Sequence, residues 1–151
     1  MRVEGLTEAE RLLEFSLSAV ATSCAQARHN VSAVVQGRGV DVAAVELAVS
    51  EAVSNVVLHA YRDRDEGSEE GRIHVRVTAD SDGVWVLVED DGVGMSPRDD
   101  SPGLGLGLRV IASVSDQLLI IQAETGTRVH IRFASSKPRV DGQRGKPAPP
   151  N

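Results

Sequence analysis

The chain has 151 residues and a net charge of −6 at neutral pH, with 41% hydrophobic but only 3% aromatic side chains. This length suits one domain with a mainly aliphatic core. The single cysteine, Cys24, excludes a disulfide framework and a cysteine-based metal site. The last fifteen residues carry four basic and one acidic side chain, so the rest of the chain carries −9. A body this acidic would repel a phosphate backbone, which argues against nucleic acid as its main partner.

The ends of the chain are expected to lie outside the folded domain. The first ten residues contain three glutamates where a signal peptide would be basic. We also expect no apolar run to approach the roughly 20 residues that span a bilayer, and therefore a cytoplasmic protein without membrane contact. Residues 1–13 are interpreted as an N-terminal extension and residues 14–136 as the domain. The Pro, Gly and charge content of residues 137–151 predicts a disordered tail.

The first half of the domain is predicted to contain a strand and two helices. Alternation of polar and apolar residues from Glu14 to Ser18 predicts a short strand. Apolar residues at steps of three and four predict a helix from Val20 to Gln36. Asp41 then stands where an N-cap belongs, before a continuous apolar stripe that predicts a longer helix up to Tyr61.

Beyond residue 71 the pattern changes to strands connected by tight turns. The Asp-Gly pair at 82–83 is typical of a hairpin turn. Hairpin-connected strands interrupted by helices predict an α/β fold, a two-layer α/β sandwich with a mixed, mostly antiparallel sheet and helices on one face. The expected elements here are, in chain order, strands over 73–77 and 84–88, a glycine-rich loop over 90–107, a helix over 108–114, and strands over 117–123 and 127–133.

Three polar side chains recur every four residues on the long helix: Glu51, Asn55 and His59. This spacing places them along nearly one side of the helix. Asn55 offers an amide oxygen suited to Mg²⁺, and Glu51 could accept a proton from a hydroxyl or water near a terminal phosphate. A solvated helix face is the alternative interpretation, and His59 is better suited to packing or hydrogen bonding than to ligation.

A second candidate cluster, Asp90-Asp91-Gly92-Val93-Gly94, directly follows an apolar strand. A carboxylate at a strand end can accept a hydrogen bond from the exocyclic amine of adenine. Gly92 and Gly94 would let the backbone approach the adenine ring closely. An ordinary turn has the same pattern, so this motif alone does not identify a nucleotide site.

Glycine and leucine alternate from Gly103 to Leu108, just before a predicted helix. Such a segment can present backbone N–H groups and a helix N-terminus to phosphate oxygens, while its leucines anchor the loop to the core. A Walker loop would have Lys-Ser or Lys-Thr after its last glycine, and a dinucleotide-binding fingerprint would follow a strand; neither holds here. The candidate residues are Gly103, Gly105, Leu106, Gly107 and Leu108.

In this order and at these separations, the three clusters resemble the N, G1 and G2 boxes of the GHKL superfamily of ATPases. The resemblance covers roughly residues 14–133 and implies the GHKL, or histidine-kinase-like ATPase, fold. The stretch from Glu46 to Asn55 looks most like the bacterial anti-sigma factor serine/threonine kinases. The matching segments are Glu51-x-x-x-Asn55-x-x-x-His59-Ala60-Tyr61, Asp90-x-Gly92-x-Gly94 and Gly103-x-Gly105-x-Gly107-Leu108.

The resemblance implies an ATP- and Mg²⁺-dependent serine/threonine protein kinase, a homodimer that binds a sigma factor and phosphorylates an anti-sigma antagonist protein. By the same resemblance Glu51 would be the catalytic base, Asn55 would hold Mg²⁺ and Asp90 would bind adenine. The implied cofactor-binding set is Asn55, His59, Asp90, Gly92, Gly94, Gly103, Gly105, Leu106, Gly107, Leu108 and Thr127.

Two alternatives stay open. The first rests on the segment between Gly94 and Gly103, where the family carries its ATP lid and this chain has only eight residues. A short lid would cover the phosphates poorly, which favours a non-catalytic ATP-binding module that sequesters a partner. The other alternative is a stand-alone ATP-binding domain of a histidine-kinase system, whose phosphoacceptor hairpin would belong to another polypeptide.

Overall fold

The computed structural model describes residues 9–61, 71–92 and 104–136. Their five strands form one sheet in the order β1-β2-β3-β5-β4, and every strand pairing is antiparallel. The two-layer α/β sandwich predicted from the sequence is confirmed. The strands are β1 (Glu10–Ser18), β2 (Arg72–Asp80), β3 (Gly83–Asp90), β4 (Gln117–Gln122) and β5 (Thr127–Ala134). The helices are α1 (Ser23–Val35), α2 (Val42–Asn55), which continues as a π-helical turn (Val56–Ala60), and α3 (Leu104–Val114).

The core lies between one face of the sheet and the helices. Alternate residues of the three inner strands β2, β3 and β5 point toward α1 and α2, where they are almost completely buried. Each buried valine or isoleucine contributes about 1.5–3 kcal/mol by leaving water. The strand residues of this core are Ile73, Val75, Val77, Ala79, Val84, Val86, Val88, Val129, Ile131 and Phe133.

The opposite face of the sheet carries paired polar groups. Arg132 donates two hydrogen bonds to the Asp80 carboxylate, at 3.0 and 3.1 Å, and its guanidinium lies 5.5 Å from the ring centre of Trp85. Burial alone would raise the pKa of Asp80, but the hydrogen bonds from Arg132 hold it below its usual value. Glu14 forms an ion pair with Arg76, and its Oε1 atom also lies 3.0 Å from His74 Nε2. This face therefore matches the solvated side of a one-sided antiparallel sheet.

The predicted N-cap of α2 is confirmed, since the Asp41 carboxylate accepts a hydrogen bond from the Ala44 N–H at 3.1 Å. Val45, Val49 and Val53 on this helix are fully buried. The expectation that no apolar run approaches 20 residues is wrong. The 19 residues Val42–Ala60 have a mean hydropathy of 1.4 and meet the length and composition of a membrane span, as a core helix of a domain also does.

β1 begins at Glu10, four residues before the strand predicted from Glu14 and inside the proposed N-terminal extension. The pairing of β1 with β2 shifts between Arg11 and Leu13, as a β-bulge does. Leu12 and Leu13 consequently both pack against the core, although they are adjacent. The bulge interrupts the two-residue period that marks a strand, which is why the sequence pattern missed this part.

α3 begins at Leu104, whereas the sequence predicted a loop up to Gly107 and a helix from Leu108. Gly105 and Gly107 therefore lie in the first turn of the helix. α1 is slightly shorter than predicted, at Ser23–Val35. Three predictions concern residues outside the described ranges: the loop after Tyr61, the lid with Gly94 and Gly103, and the tail from residue 137.

Replacing Ile131, which is fully buried in β5, should destabilise the fold. We expect Ile131→Ala to lower the free energy of unfolding by about 2–5 kcal/mol, because it removes buried methyl groups and leaves a cavity. Leu58→Ala is the control, since this leucine is 62% exposed, and its effect should stay within about 0.5 kcal/mol. Urea denaturation of both variants measures the difference, and equal losses would contradict the described core.

Candidate nucleotide-binding site

Glu51 and Asn55 come together with the first turn of α3. Asn55 is the last residue of α2 and only 4% exposed, while Glu51 is half-buried one turn earlier. A Cβ atom on Gly107 would lie 3.1 Å from Asn55 Oδ1 and 3.2 Å from Glu51 Oε2. Any larger residue at position 107 would force these side chains to shift by a few tenths of an ångström, so glycine favours the close approach of α3. The structure thus places Gly107 of the glycine-rich segment directly against Glu51, the predicted base, and Asn55, the predicted metal ligand.

The side chain of Asn55 has an unmet hydrogen-bonding need. Its Nδ2 atom is buried and has no hydrogen-bond partner among the described residues. Leaving such a group unpaired costs about 1–3 kcal/mol, and the two ends of an amide are distinguished only by their hydrogen bonds. A bound group that contacts this amide would remove the cost. The unpaired amide is therefore suited to contact a bound ligand.

The donor set agrees with Mg²⁺ bound together with a nucleotide. Within residues 9–61, 71–92 and 104–136, no group of three His, Cys, Asp or Glu side chains is placed to hold a metal ion. Mg²⁺ does not need such a cage, because it keeps several waters and commonly takes one or two protein oxygens plus phosphate oxygens. The amide oxygen of Asn55 fits that role.

The start of α3 can bind an anion. The first N–H groups of a helix have no partner inside it and carry a partial positive charge. Gly107 places this end of α3 beside Asn55. At Gly105, by contrast, a Cβ would meet no atom within 4 Å, so packing among the described residues does not require glycine there.

The leucines of this segment do not share one role, which corrects the prediction that all of them anchor it to the core. Leu108 packs against the core, but Leu106 is 66% exposed. Residues two apart on a helix point about 200° apart, so the two side chains lie on opposite sides of α3. In an extended loop, alternate leucines would all point to the same side and could anchor the loop to the core. In a helix, leucines two residues apart point to opposite sides, one to the core and one to solvent.

His59 is buried, at 9% exposure, within the π-helical turn. Glu51 and Asn55 lie on the same side of α2, as predicted, because both side chains approach Gly107. His59 stands in the π-helical turn that follows. Its burial agrees with a packing or hydrogen-bonding role.

The carboxylate of Asp90, at the end of β3, is only 6% exposed. Its Oδ1 accepts a hydrogen bond from the Gly92 N–H at 2.9 Å, and its buried Oδ2 has no partner in the described part of the chain. Burial raises the pKa of Asp90; the Gly92 N–H partly offsets this, and the charge of Asp91 adds to it. A buried, half-satisfied carboxylate is well suited to accept a hydrogen bond from a ligand.

Two glycines allow the backbone around Asp90 to pack closely. A Cβ on Gly92 would overlap the carbonyl oxygen of Ala60 at the end of the π-helical turn. Gly126 has a φ of +89°, and a Cβ there would overlap the carbonyl oxygen of Asp90. Thr127 follows at 1% exposure and pairs with Asp90 across the β3–β5 ladder. The structure thus places Asp90, Gly92 and Thr127 together.

The hydroxyl of Tyr61 joins three separate segments. It accepts hydrogen bonds from the backbone N–H groups of Arg72 and Asp91, each at 3.2 Å. It can donate its single hydrogen to the Arg72 carbonyl oxygen at 2.6 Å or to Asp91 Oδ1 at 2.5 Å. The ring occupies the space where a Cβ on Gly71 would lie. Tyr61 therefore ties the end of the π-helical turn to the start of β2 and to the turn that carries Asp90.

Sequence reasoning included Tyr61 in a motif but gave it no role. Its partners Arg72 and Asp91 stand 11 and 30 residues away, and no local pattern marks either of them. The Gly71 that accommodates the ring could only be interpreted as part of a loop. No signal in a single sequence would have found this contact.

A cavity of about 410 Å³ opens beside the ends of β2, β3 and β5. Asp90 and Thr127 contribute to its wall, but so do Arg72, Glu89 and Arg128, which point away from the helices. The cavity therefore extends along the polar face of the sheet, on the side opposite to α2 and its Glu51 and Asn55.

Comparison with known proteins agrees with this geometry. Residues 17–133 match the family model described as the histidine kinase-like ATPase domain. The chain is also similar to proteins named anti-sigma F factor: 34% identical over 97 residues to that of Clostridium novyi (strain NT), 28% over 108 residues to that of Bacillus licheniformis, and 30% over 99 residues to that of Bacillus cytotoxicus. These alignments cover 56%, 64% and 58% of this chain. They span 65%, 71% and 65% of the respective relatives.

The bonding of Tyr61 can be tested by titration, because it is the single tyrosine of the chain. Burial, then the hydrogen bond to Asp91 and the nearby carboxylate charges, raise the pKa of Tyr61 to about 12. Its ultraviolet absorbance should therefore change with a midpoint near 12 instead of the ordinary 10. A raised pKa favours the folded state below pH 10, and this stabilisation should be lost between pH 10 and 12.

Asp91→Asn should move this midpoint toward 10, because it removes both the carboxylate acceptor and its charge. Asp82→Asn, in the β2–β3 hairpin turn, is the charge-matched control and should leave the midpoint unchanged. A wild-type midpoint at the ordinary value would contradict the described contacts of Tyr61.

Proposed function

The chain belongs to the family of histidine kinase-like ATPase domains, and on this premise we propose that it is an ATP-dependent serine/threonine protein kinase of the anti-sigma type. The observation that carries the proposal is the convergence of Glu51, Asn55 and the first turn of α3 at Gly107. It supplies a carboxylate, an amide with an unmet hydrogen bond and a helix N-terminus at one place.

Adenine recognition would fall to Asp90. The free Oδ2 of this carboxylate would accept a hydrogen bond from the exocyclic amine of adenine, while Oδ1 keeps its bond to Gly92. Guanine has a carbonyl oxygen at the position of that amine, and two acceptors would face each other. Asp90 would therefore select ATP over GTP.

The phosphates would lie between Asn55 and the start of α3. Asn55 would hold Mg²⁺, which neutralises charge on the phosphate oxygens when bound. The exposed N–H groups of the first turn of α3 would hydrogen-bond other phosphate oxygens. Gly94 beside the adenine ring and Gly103 in the phosphate-binding segment, both outside the described ranges, remain proposed members of the nucleotide site.

Glu51 would act as the catalytic base. Its carboxylate would take the proton of a serine or threonine hydroxyl as the hydroxyl oxygen forms a bond to the terminal phosphorus. The bond from that phosphorus to the bridging oxygen breaks at the same time, and ADP leaves with its electron pair. Most of the rate enhancement in such a transfer comes from positioning and charge neutralisation.

The partners are proposed from the relatives named anti-sigma F factor. A protein of this type would bind a sigma factor in the cytoplasm and would phosphorylate an anti-sigma antagonist protein. We also propose that it works as a homodimer. Direct contact with nucleic acid is not expected, because the chain outside its last fifteen residues is strongly acidic.

A non-catalytic module that sequesters its partner is the second candidate. The eight-residue segment between Gly94 and Gly103 favours it, because a short lid shields phosphates from water poorly. The two functions respond differently to an ATP analogue that cannot transfer its terminal phosphoryl group. A sequestering module would control its partner equally well with the analogue and with ATP. A kinase would leave its antagonist unmodified when only the analogue is present.

The role of Glu51 is tested by Glu51→Gln, which keeps the size of the side chain but removes its basicity. We expect phosphorylation of a captured partner to fall by at least about 100-fold, within the range for loss of a general base, with ATP affinity nearly unchanged. Labelled Mg-ATP with mass spectrometry of the phosphorylated residue measures transfer, and equilibrium dialysis measures affinity.

The matched control is Glu46→Gln on the same helix. Glu46 accepts a hydrogen bond from Ser32 at 2.7 Å, away from the site, and its replacement removes the same charge. Phosphoryl transfer at the parental rate in Glu51→Gln would show that Glu51 is not the catalytic base. Retained ATP binding without transfer in the parental protein would favour sequestration.

Asp90→Asn should weaken ATP binding by about 10- to 100-fold, the value of a hydrogen bond to a charged group. The new amide oxygen would keep the bond to Gly92, so its NH₂ group would face the adenine amine, donor against donor. Glu89→Gln is the control, because Glu89 lies next along β3 but points to the opposite face and pairs with Arg128. Unchanged affinity in the Asp90 variant would remove Asp90 from the site.

ATP affinity of the parental protein should also fall on acidification. The pKa of Asp90 is raised, so its carboxylate takes up a proton at a higher pH than an ordinary aspartate. The charged form is present above that pKa and is lost as the pH falls through it. Binding isotherms across mildly acidic pH would show this loss.

A further inference from the structure

The turn that follows β3 decides where the carboxylate of Asp90 points. Asp90 is the last residue of β3 that pairs within the sheet, with Ile73 on one side and Thr127 on the other. The next two residues, Asp91 and Gly92, lie beyond the ladder, and the Gly92 N–H donates back to Asp90 Oδ1 at 2.9 Å. The position of this carboxylate therefore depends on what holds Asp91 and Gly92.

The Tyr61 hydroxyl holds the first of these two residues. Its oxygen accepts the Asp91 N–H and the Arg72 N–H, each at 3.2 Å. In the register of β2 and β3, Arg72 and Asp91 would form the pair that follows the last one of the ladder. The phenol oxygen joins the two strands at the place of that pair. It thereby continues the ladder by one step and fixes the backbone of Asp91.

The end of the π-helical turn is itself packed against this region. The ring of Tyr61 fills the space where a Cβ on Gly71 would lie, directly before β2. The preceding residue, Ala60, places its carbonyl oxygen where a Cβ on Gly92 would lie. Two successive residues of the π-helical end thus contact Asp91 and Gly92, and the path of the turn after β3 is fixed from the helix side.

The hydroxyl supplies what a purely space-filling aromatic ring would lack. A phenylalanine would leave the N–H groups of Arg72 and Asp91 without this acceptor. Backbone N–H groups withdrawn from water need a partner, so the strand end would move to find one. The hydroxyl hydrogen also has two acceptors within reach, the Arg72 carbonyl oxygen at 2.6 Å and Asp91 Oδ1 at 2.5 Å. The contact is therefore specific to tyrosine.

We propose that Tyr61 is the positioning residue for the adenine end of the site. Its hydroxyl fixes the turn after β3 and thereby aims the free Oδ2 of Asp90 at the exocyclic amine of adenine. Hydrogen bonds from behind a binding group hold that group in its productive orientation. Tyr61 touches no ligand in this arrangement and acts only through Asp90. The inference rests on the proposed function, in which Asp90 binds adenine.

The phosphate end of the site is held by other contacts. Asn55 and the first turn of α3 come together at Gly107. The hydroxyl contacts with Arg72 and Asp91 lie instead at the ends of β2 and β3. Loss of the hydroxyl should therefore weaken binding of the adenosine part of ATP and spare binding of the phosphates.

Tyr61→Phe tests the proposal with ATP and with two fragments of it, adenosine and magnesium tripolyphosphate. We expect the affinities for adenosine and ATP to fall about fivefold or more, the scale of one lost hydrogen bond. The affinity for tripolyphosphate should stay unchanged. Isothermal titration calorimetry of the full chain measures all three, and circular dichroism checks the fold.

The matched control is Ser135→Ala. The Ser135 hydroxyl also donates to a backbone carbonyl oxygen, that of Arg38 at 2.9 Å, and it lies beyond the other end of β5. Its removal should change none of the three affinities. An unchanged adenosine affinity in Tyr61→Phe, or an equal loss of adenosine and tripolyphosphate affinity, would overturn the proposal.

A double-mutant cycle separates positioning from a general weakening of the site. In an Asp90→Asn background the adenine acceptor is already gone, so Tyr61→Phe should cause no further loss of ATP affinity. Losses that add in the double variant would show that Tyr61 acts by another route than Asp90 and would contradict the proposal.

Hydrogen exchange on the parental protein gives a readout that needs no variant. Adenosine should slow exchange of the Asp91 amide, because a ligand bound to Asp90 restricts the turn, whereas tripolyphosphate should not. If Tyr61→Phe does not fold, this experiment decides, and an amide that responds to both ligands or to neither overturns the proposal. ATP binding that Tyr61→Phe leaves intact would contradict this inference alone. A parental protein without affinity for ATP would contradict the proposed function as well.

Discussion

The burial of α2 between the sheet, α1 and α3 is the constraint on which the rest of the structure depends. Val45, Val49 and Val53 are fully buried, so the rotation of this helix about its axis is fixed. With that rotation set, Glu51 and Asn55 must face α3. Their positions are therefore held by the packing of the core, and a rigid helix places the two side chains more accurately than a loop would.

Close backbone approach then completes the site. Gly107 lets α3 reach Glu51 and Asn55, and Gly92 and Gly126 let the end of β3 pack against Ala60 and the start of β5. These glycines act by the absence of a side chain, at a cost in backbone entropy. The orphaned polar atoms of Asn55 and Asp90 lie at the two ends of this arrangement. These unpaired polar atoms destabilise the fold at the positions where a bound ligand would stabilise it.

The sequence predicted the sheet, the helix order and the N-cap at Asp41 because each depends on local periodicity or a local hydrogen bond. It missed the start of β1 because a bulge at Leu12 and Leu13 breaks the alternation. It placed Gly107 in a loop because glycine is a poor helix former, and contacts with α2 override that preference. The hydroxyl contacts of Tyr61 were not predictable, since they join residues far apart in the chain.

The polar face of the sheet has a practical consequence for spectroscopy. Trp85 is the sole tryptophan, and it lies on this face under the Arg132 guanidinium. Glu51 and Asn55 stand on the other side of the sheet, so bound ligand would not touch the indole. Tryptophan fluorescence should therefore change when the sheet unfolds and should not change when ligand binds at Glu51 and Asn55. Folding and ligand binding can then be followed in one sample as separate signals.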